Sequence, residues 1–155
     1  MFISPTRGRM TCEEMLADIV DYMLAAIEYQ YKIIVGTDSQ MREETCLVTA
    51  VVVHRVGKGA RYYYRKKKHR RMQSLRQRLF YEAALSLETA SRLTSLLAEK
   101  GYADLDLEIH LDVGPKGETK EMIRELVGMI VGSGFDARIK PDSFGASKVA
   151  DKHTK

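Results

Sequence analysis

A chain of 155 residues, 45% hydrophobic and 30% charged, is long enough to bury a proper core and has the make-up of an ordinary globular protein of one domain. No run approaches the ~20 apolar residues of a membrane span, and the opening MFISPTRGRM lacks a signal peptide's apolar segment, so a cytoplasmic protein with no membrane partner is expected. Net charge is a mild +4, and Cys12 and Cys46 have no metal or redox spacing and read as free thiols.

Thr11 is a helix cap, with Glu13 and Glu14 complementing the positive end of the helix. Met15, Leu16, Ile19, Val20, Met23, Leu24 and Ile27 then recur at helical spacing, which predicts an amphipathic helix over 12–29. The β-branched run 32–37 reads as a buried strand, 45–55 as a second, and 61–66 as a third after a turn at Gly57 and Gly59. The longest helical pattern covers 72–99 and stops at Gly101. A strand over 105–111, a turn at Gly114–Gly117, a helix over 118–131, a strand over 135–140 and a terminal helix over 146–155 complete the chain.

This order predicts an α/β fold: a five-stranded mixed sheet, order 3-2-1-4-5, flanked by helices, with residues 1–31 as a helical extension of a single domain 1–155. Strands one and four then lie side by side and parallel, with their C-terminal ends together, where open α/β sheets place ligand sites. Each of these strands runs into an aspartate, Asp38 in IIVGTDSQ and Asp112 in EIHLDVG, with Gly36 and Gly114 nearby to allow close approach. A single such aspartate reads as a turn or cap residue. Two at adjacent strand ends repel unless a cation or solvent neutralises them, and Mg²⁺ or Mn²⁺ are natural occupants.

With GTDSQ, IHLDVG and the C-terminal KPDSFGASKVADKHTK in this order, the chain resembles the ribonuclease H-like superfamily, and within it the small bacterial YkuK-type family. The resemblance covers nearly everything from Lys32 to Lys155 and leaves the N-terminal helix outside the basic core. It implies metal-dependent cleavage or transfer of phosphodiester bonds, and with the basic stretch at 61–71 the expected activity is a nuclease acting on RNA, RNA–DNA hybrid or structured DNA. It also implies four carboxylates holding two ions ~3.5–4 Å apart, one activating water and the other stabilising the leaving oxygen. Asp38 matches the first-strand acid and would be shared by both ions, Asp112 matches the fourth-strand acid, and Asp151 in VADKH matches the acid of the terminal helix.

The fourth acid should come from the long helix, where Glu82 and Glu88 flank the apolar stripe on opposite sides. The 24-residue step to Asp112 favours Glu88 on the spacing that the resemblance implies. A height count, with six strand residues rising about 20 Å against roughly 13 helical residues, falls between the two. Glu88 is the expected ligand and Glu82 the reserve, while a surface glutamate would look the same in sequence.

The densest positive stretch, RYYYRKKKHRR at 61–71, points to a polyanionic partner through Arg61, Arg65, Lys66, Lys67, Lys68, Arg70 and Arg71, although a solvated strand end would carry similar charge. Lys148, Lys152 and His153 beside Asp151, and Lys140 and Ser143 before it, could steer phosphate; an exposed basic face is the plainer reading. His54, His69 and His110 make no zinc pattern, and His110 reads as a packed or hydrogen-bonded histidine. The competing functional reading is a non-catalytic nucleic-acid-binding module on the same fold. An actin-like ATPase needs two such domains to enclose nucleotide, and this length offers one.

Overall fold

The computed structural model describes residues 1–117, 119–143 and 145–154, with the backbone alone at 147 and 148. The first position of the helix expected from 118, the side chain of Lys148 and the end of the terminal motif therefore lie outside the described residues.

The chain opens with two three-residue strands, β1 (Phe2–Ser4) and β2 (Gly8–Met10), which pair antiparallel. Helix α1 (Cys12–Leu24) follows, started by a capping box: Thr11 Oγ1 accepts from the Glu14 amide at 3.1 Å and Glu14 Oε1 accepts from the Thr11 amide at 2.9 Å. It ends five residues before the predicted position 29. Ile27, the last member of the expected stripe, is 75% exposed and has no core to hold another turn.

Strands β3 (Tyr31–Met41), β4 (Glu44–Arg55) and β5 (Ala60–Arg70) form the meander. Their ladders run unbroken from Tyr31↔Arg55 to Met41↔Thr45 and from Glu44↔Arg70 to His54↔Ala60. Helix α2 (Leu75–Glu99), β6 (Asp106–His110), a 3₁₀ turn at Lys120–Met122, α3 (Ile123–Gly132), β7 (Asp136–Arg138) and α4 (Gly145–Thr154) complete the order. β6 lies parallel to β3 from Lys32↔Asp106 to Gly36↔His110, and β7 lies parallel to β6.

The sheet has seven strands in the order β2-β1-β5-β4-β3-β6-β7, not the five expected. The expected five occupy consecutive places in the expected order, and the β1–β2 hairpin adds two more beside β5 through Ile3↔Tyr64. The expected helical extension 1–31 is thus a hairpin and a helix rather than a helix alone, and Tyr31 already belongs to β3. Phe2 and Met10 are buried, which is what draws the hairpin onto the sheet.

Strand alternation gives the sheet two different faces. Ile33, Val35, Val51, Val53, Tyr63 and Ile109 form the main core with α1, α2 and α3. Ile34, Val48, Ala50 and Val52 face the other way, under Ala146 and Ala150 of α4. Burying an aliphatic side chain of this size contributes about 1.5–3 kcal/mol, so the first face carries most of the stability. The smaller face needs close approach. A Cβ on Gly36 would stand 2.9 Å from Cβ of Ala146, so the glycine is what lets α4 settle on β3.

Candidate metal centre

Asp38 does not sit at a strand tip. β3 continues three residues past it to Met41, hydrogen-bonded to β4, whereas β6 stops at His110 beside Gly36. The unequal lengths open a notch on the β6 side of β3, flanked by Asp38 and, two residues beyond β6, Asp112. Ile34, Gly36 and Asp38 share the face that meets α4, so Asp38 turns toward Asp151, with which it shares a hydrogen bond. From α2, the glutamate brought to these acids is Glu82.

The alignment of α2 on β3 decides this choice. Thr37 Oγ1 lies 2.8 Å from Ser86 Oγ and 3.0 Å from Thr49 Oγ1, a buried hydroxyl chain that pins the helix to the sheet. Two residues up the strand and one turn back along the helix, Ser39 Oγ donates to Glu82 Oε2. Two strand residues rise about 6.6 Å and four helical residues about 6 Å, so the two contacts stay in step. Glu82 is 7% exposed and interacts electrostatically with both Asp38 and Asp112. Glu88 is exposed and lines a separate pocket with Met1, Cys12 and Arg92. The expected ligand Glu88 is thus not brought to the acidic group, whereas the reserve, Glu82, is. A height count that stops the strand at Thr37 arrives at Ser86, and the further residues of β3, which runs to Met41, bring the level to Glu82.

Burial and neighbouring charge raise the pKa of two of these acids. Burial, then the charge of Asp112, then Asp151 push Asp38 up to about 6. Glu82 is pushed up to about 8, mainly by burial, with Asp38 and Asp112 adding to it; the Ser39 hydrogen bond and the charge of Arg78 pull the other way. Lys140 Nζ pairs with Asp112 Oδ1 at 2.9 Å.

Chemically the donor set suits a hard divalent cation: it is all oxygen, like-charged and partly desolvated. Its arrangement is looser, since among the described residues no three His, Cys, Asp or Glu side chains converge into a ready-made metal site. Asp38 leans on Asp151, while Asp112 is engaged by Lys140. The donor chemistry fits a cation, and ligation would require these side chains to turn inward.

His110 and the basic strand take more ordinary places. His110 is 5% exposed, and its Nε2 lies 3.1 Å from Glu108 Oε1. Burial would raise the Glu108 pKa, but His110, Lys32 and Arg138 outweigh it and hold the carboxyl below its ordinary value. Burial lowers the pKa of His110.

Strand alternation divides the basic stretch between two faces. Arg61 pairs with the buried Asp18 at 3.3 Å, and Tyr63 donates to the same carboxylate. Arg65 lies over the Phe2 ring and Lys67 over Tyr81, at 5.1 and 5.4 Å. Lys66 and Lys68 point to the α4 side, where with Arg42 they line a groove of about 480 Å³ beside Thr154. Asp38, Val48 and Lys66 are register partners across three adjacent strands, about 10 Å from end to end. Arg70 and Arg71 are exposed at the strand end, Arg71 donating to the Arg42 carbonyl at 3.0 Å.

The family described as Ribonuclease H-like matches residues 14–155. The chain belongs to it. A relative from Bacillus subtilis (strain 168), named as the uncharacterized protein YkuK, is 36% identical over 169 residues and is covered over 97% of its length by the whole of this chain, which places the protein among YkuK-type members of this RNase H-like family. No helix among the described residues is long and apolar enough to cross a membrane.

Proposed function

We propose that the protein is a metal-dependent nuclease hydrolysing phosphodiester bonds in RNA, RNA–DNA hybrid or structured DNA. The observation that carries this reading is that Asp38 interacts with Asp112 and Asp151, and Glu82 with Asp38 and Asp112, and that burial and these charges push Asp38 and Glu82 well up. RNase H-like proteins typically use divalent metals, and these four side chains would hold Mg²⁺ or Mn²⁺. When bound, such ions supply Lewis-acid activation of water and charge stabilisation at the phosphate. The chain's own residues have separate tasks. Ser39 orients Glu82, the Thr37–Ser86 contact holds α2 at the height that brings Glu82 to Asp38, and Gly36 lets α4 deliver Asp151. Lys66 and Lys68, on the same face, would receive the phosphates of a strand crossing the site.

The test is cleavage of RNA, hybrid and structured DNA by the purified protein with Mg²⁺ or Mn²⁺ and with EDTA. Metal-dependent cleavage that Asp38→Asn abolishes is the expected result; inactivity on all three substrates with both ions would sink it. A non-catalytic binding module draws on the Lys140–Asp112 pair, which occupies one of the acids. That reading requires salt-sensitive nucleic-acid binding that is indifferent to metal and to Asp38→Asn.

A further inference from the structure

Resting on the metal-centre reading, we infer that Lys140 is a tethered counter-ion of the acidic site, which a divalent cation must displace from Asp112 and which therefore sets the site's cation affinity. Three observations lead there. The ammonium lies 2.9 Å from Asp112 Oδ1, and Asp38 also acts on its charge. The backbone fixes its position: Leu111 donates to the Arg138 carbonyl at 2.9 Å and Lys140 donates to the Val113 carbonyl at 2.8 Å, so the segment after β7 runs alongside the one carrying Asp112. The lysine stem also lies against Gly114, where a Cβ would stand in ordinary contact with the Cβ of Lys140 at 3.4 Å.

The exposure of the pair makes it a placeholder rather than a lock. The Lys140 side chain is 59% exposed and that of Asp112 33%, so solvent screens the attraction and the ammonium can swing out at little cost. A divalent ion carries twice the charge and can engage several carboxylates together, whereas the ammonium engages one at contact distance. Exchange of Lys140 for the ion follows, and it leaves the lysine free at the mouth of the site. Lys140 is thus a positioning residue, acting on the ligand Asp112.

Mn²⁺ binding to wild type, Lys140→Met, Lys140→Arg and Lys152→Met is measured by titration calorimetry on the full chain at fixed salt. Lys140→Met should bind Mn²⁺ about fivefold more tightly, the range expected when an exposed ion pair no longer competes. Lys140→Arg should stay close to wild type. Lys152, exposed beside Asp151 on α4, controls for net charge alone. Unchanged or weaker affinity in Lys140→Met, or an equal gain in Lys152→Met, would overturn the inference while leaving the metal-centre reading standing. Absence of Mn²⁺ binding in all four proteins would overturn that reading and the inference together. Thermal denaturation with and without Mn²⁺ gives the second measurement: the metal-induced rise in Tm should be larger for Lys140→Met than for wild type.

Discussion

At the scale of single residues, Glu82 carries the clearest consequence. Its carboxyl is pushed up to about 8 from an ordinary 4.5, and Asp38 up to about 6 from 3.8. A raised acid favours the fold while it keeps its proton, so this contribution is fully present below about pH 4 and is lost as pH climbs through 6 to 8. Urea denaturation in EDTA should therefore find wild type more stable at pH 5.5 than at pH 8.5. Glu82→Gln keeps an acceptor for Ser39 and removes the charge. It should stabilise the metal-free protein by roughly 1–3 kcal/mol at pH 8.5 and flatten the pH dependence. In the nuclease assay the same substitution should cost on the order of 100-fold or more, as expected for loss of a metal ligand. Glu88→Gln should do neither; if it lost activity while Glu82→Gln kept it, the assignment of the helix acid would be reversed. Metal affinity should also rise between pH 6 and pH 8, because ligation requires the protons on Asp38 and Glu82 to leave.

Among the elements, α4 depends on the least side chain in β3. Gly36→Ala would press a methyl against Ala146 on a face whose core is only a few residues wide, and overpacking of this kind costs about 1–3 kcal/mol. Denaturant titration should show that loss, and Asp151 should withdraw from Asp38, so metal affinity falls with it. Changed stability with unchanged metal affinity would mean that α4 holds its place by other means.

Element scale is also where the sequence was most and least legible. β-branched runs such as IIV and AVVV, and the stripe on α2, named their elements because burial alone selects those patterns. The last residues of β3 misled, because Asp38, Ser39 and Gln40 look like turn residues. Their backbone is held by β4, a long-range partner that periodicity does not report. β1 and β2 are three residues each, too short to show a period, and only their burial against β5 and α1 gives them away. Motif order singles out the acids on β3, after β6 and on α4, whereas telling which of Glu82 and Glu88 lies near them needs the height of α2 on β3, which depends on where β3 really ends.

For the whole molecule, the seven basic residues named between 61 and 71 should divide by face. Lys66→Ala and Lys68→Ala should weaken nucleic-acid binding about equally across sequences and lower the salt slope by about 0.7–0.9 each, the signature of a lost phosphate contact. Arg61→Ala should instead destabilise the fold, since it removes a partner from the buried Asp18 carboxylate. Filter binding over a salt series, alongside thermal denaturation, separates the two. If Arg61→Ala cost only binding, or Lys66→Ala only stability, the division by face would be wrong.

β5 meets β1 at a single bridge, Ile3↔Tyr64, and beyond it no strand among the described residues covers the outer side of β5. That rim, from Arg65 to Arg70, offers unpaired backbone to any other chain that can add a strand, which is how sheets grow into aggregates. Repulsion between like-charged copies blocks such growth, and this rim reads RKKKHR. The lysines proposed to receive phosphates are therefore also the ones that keep two molecules from zipping together, and neutralising them to abolish binding would remove a safeguard of solubility in the same stroke.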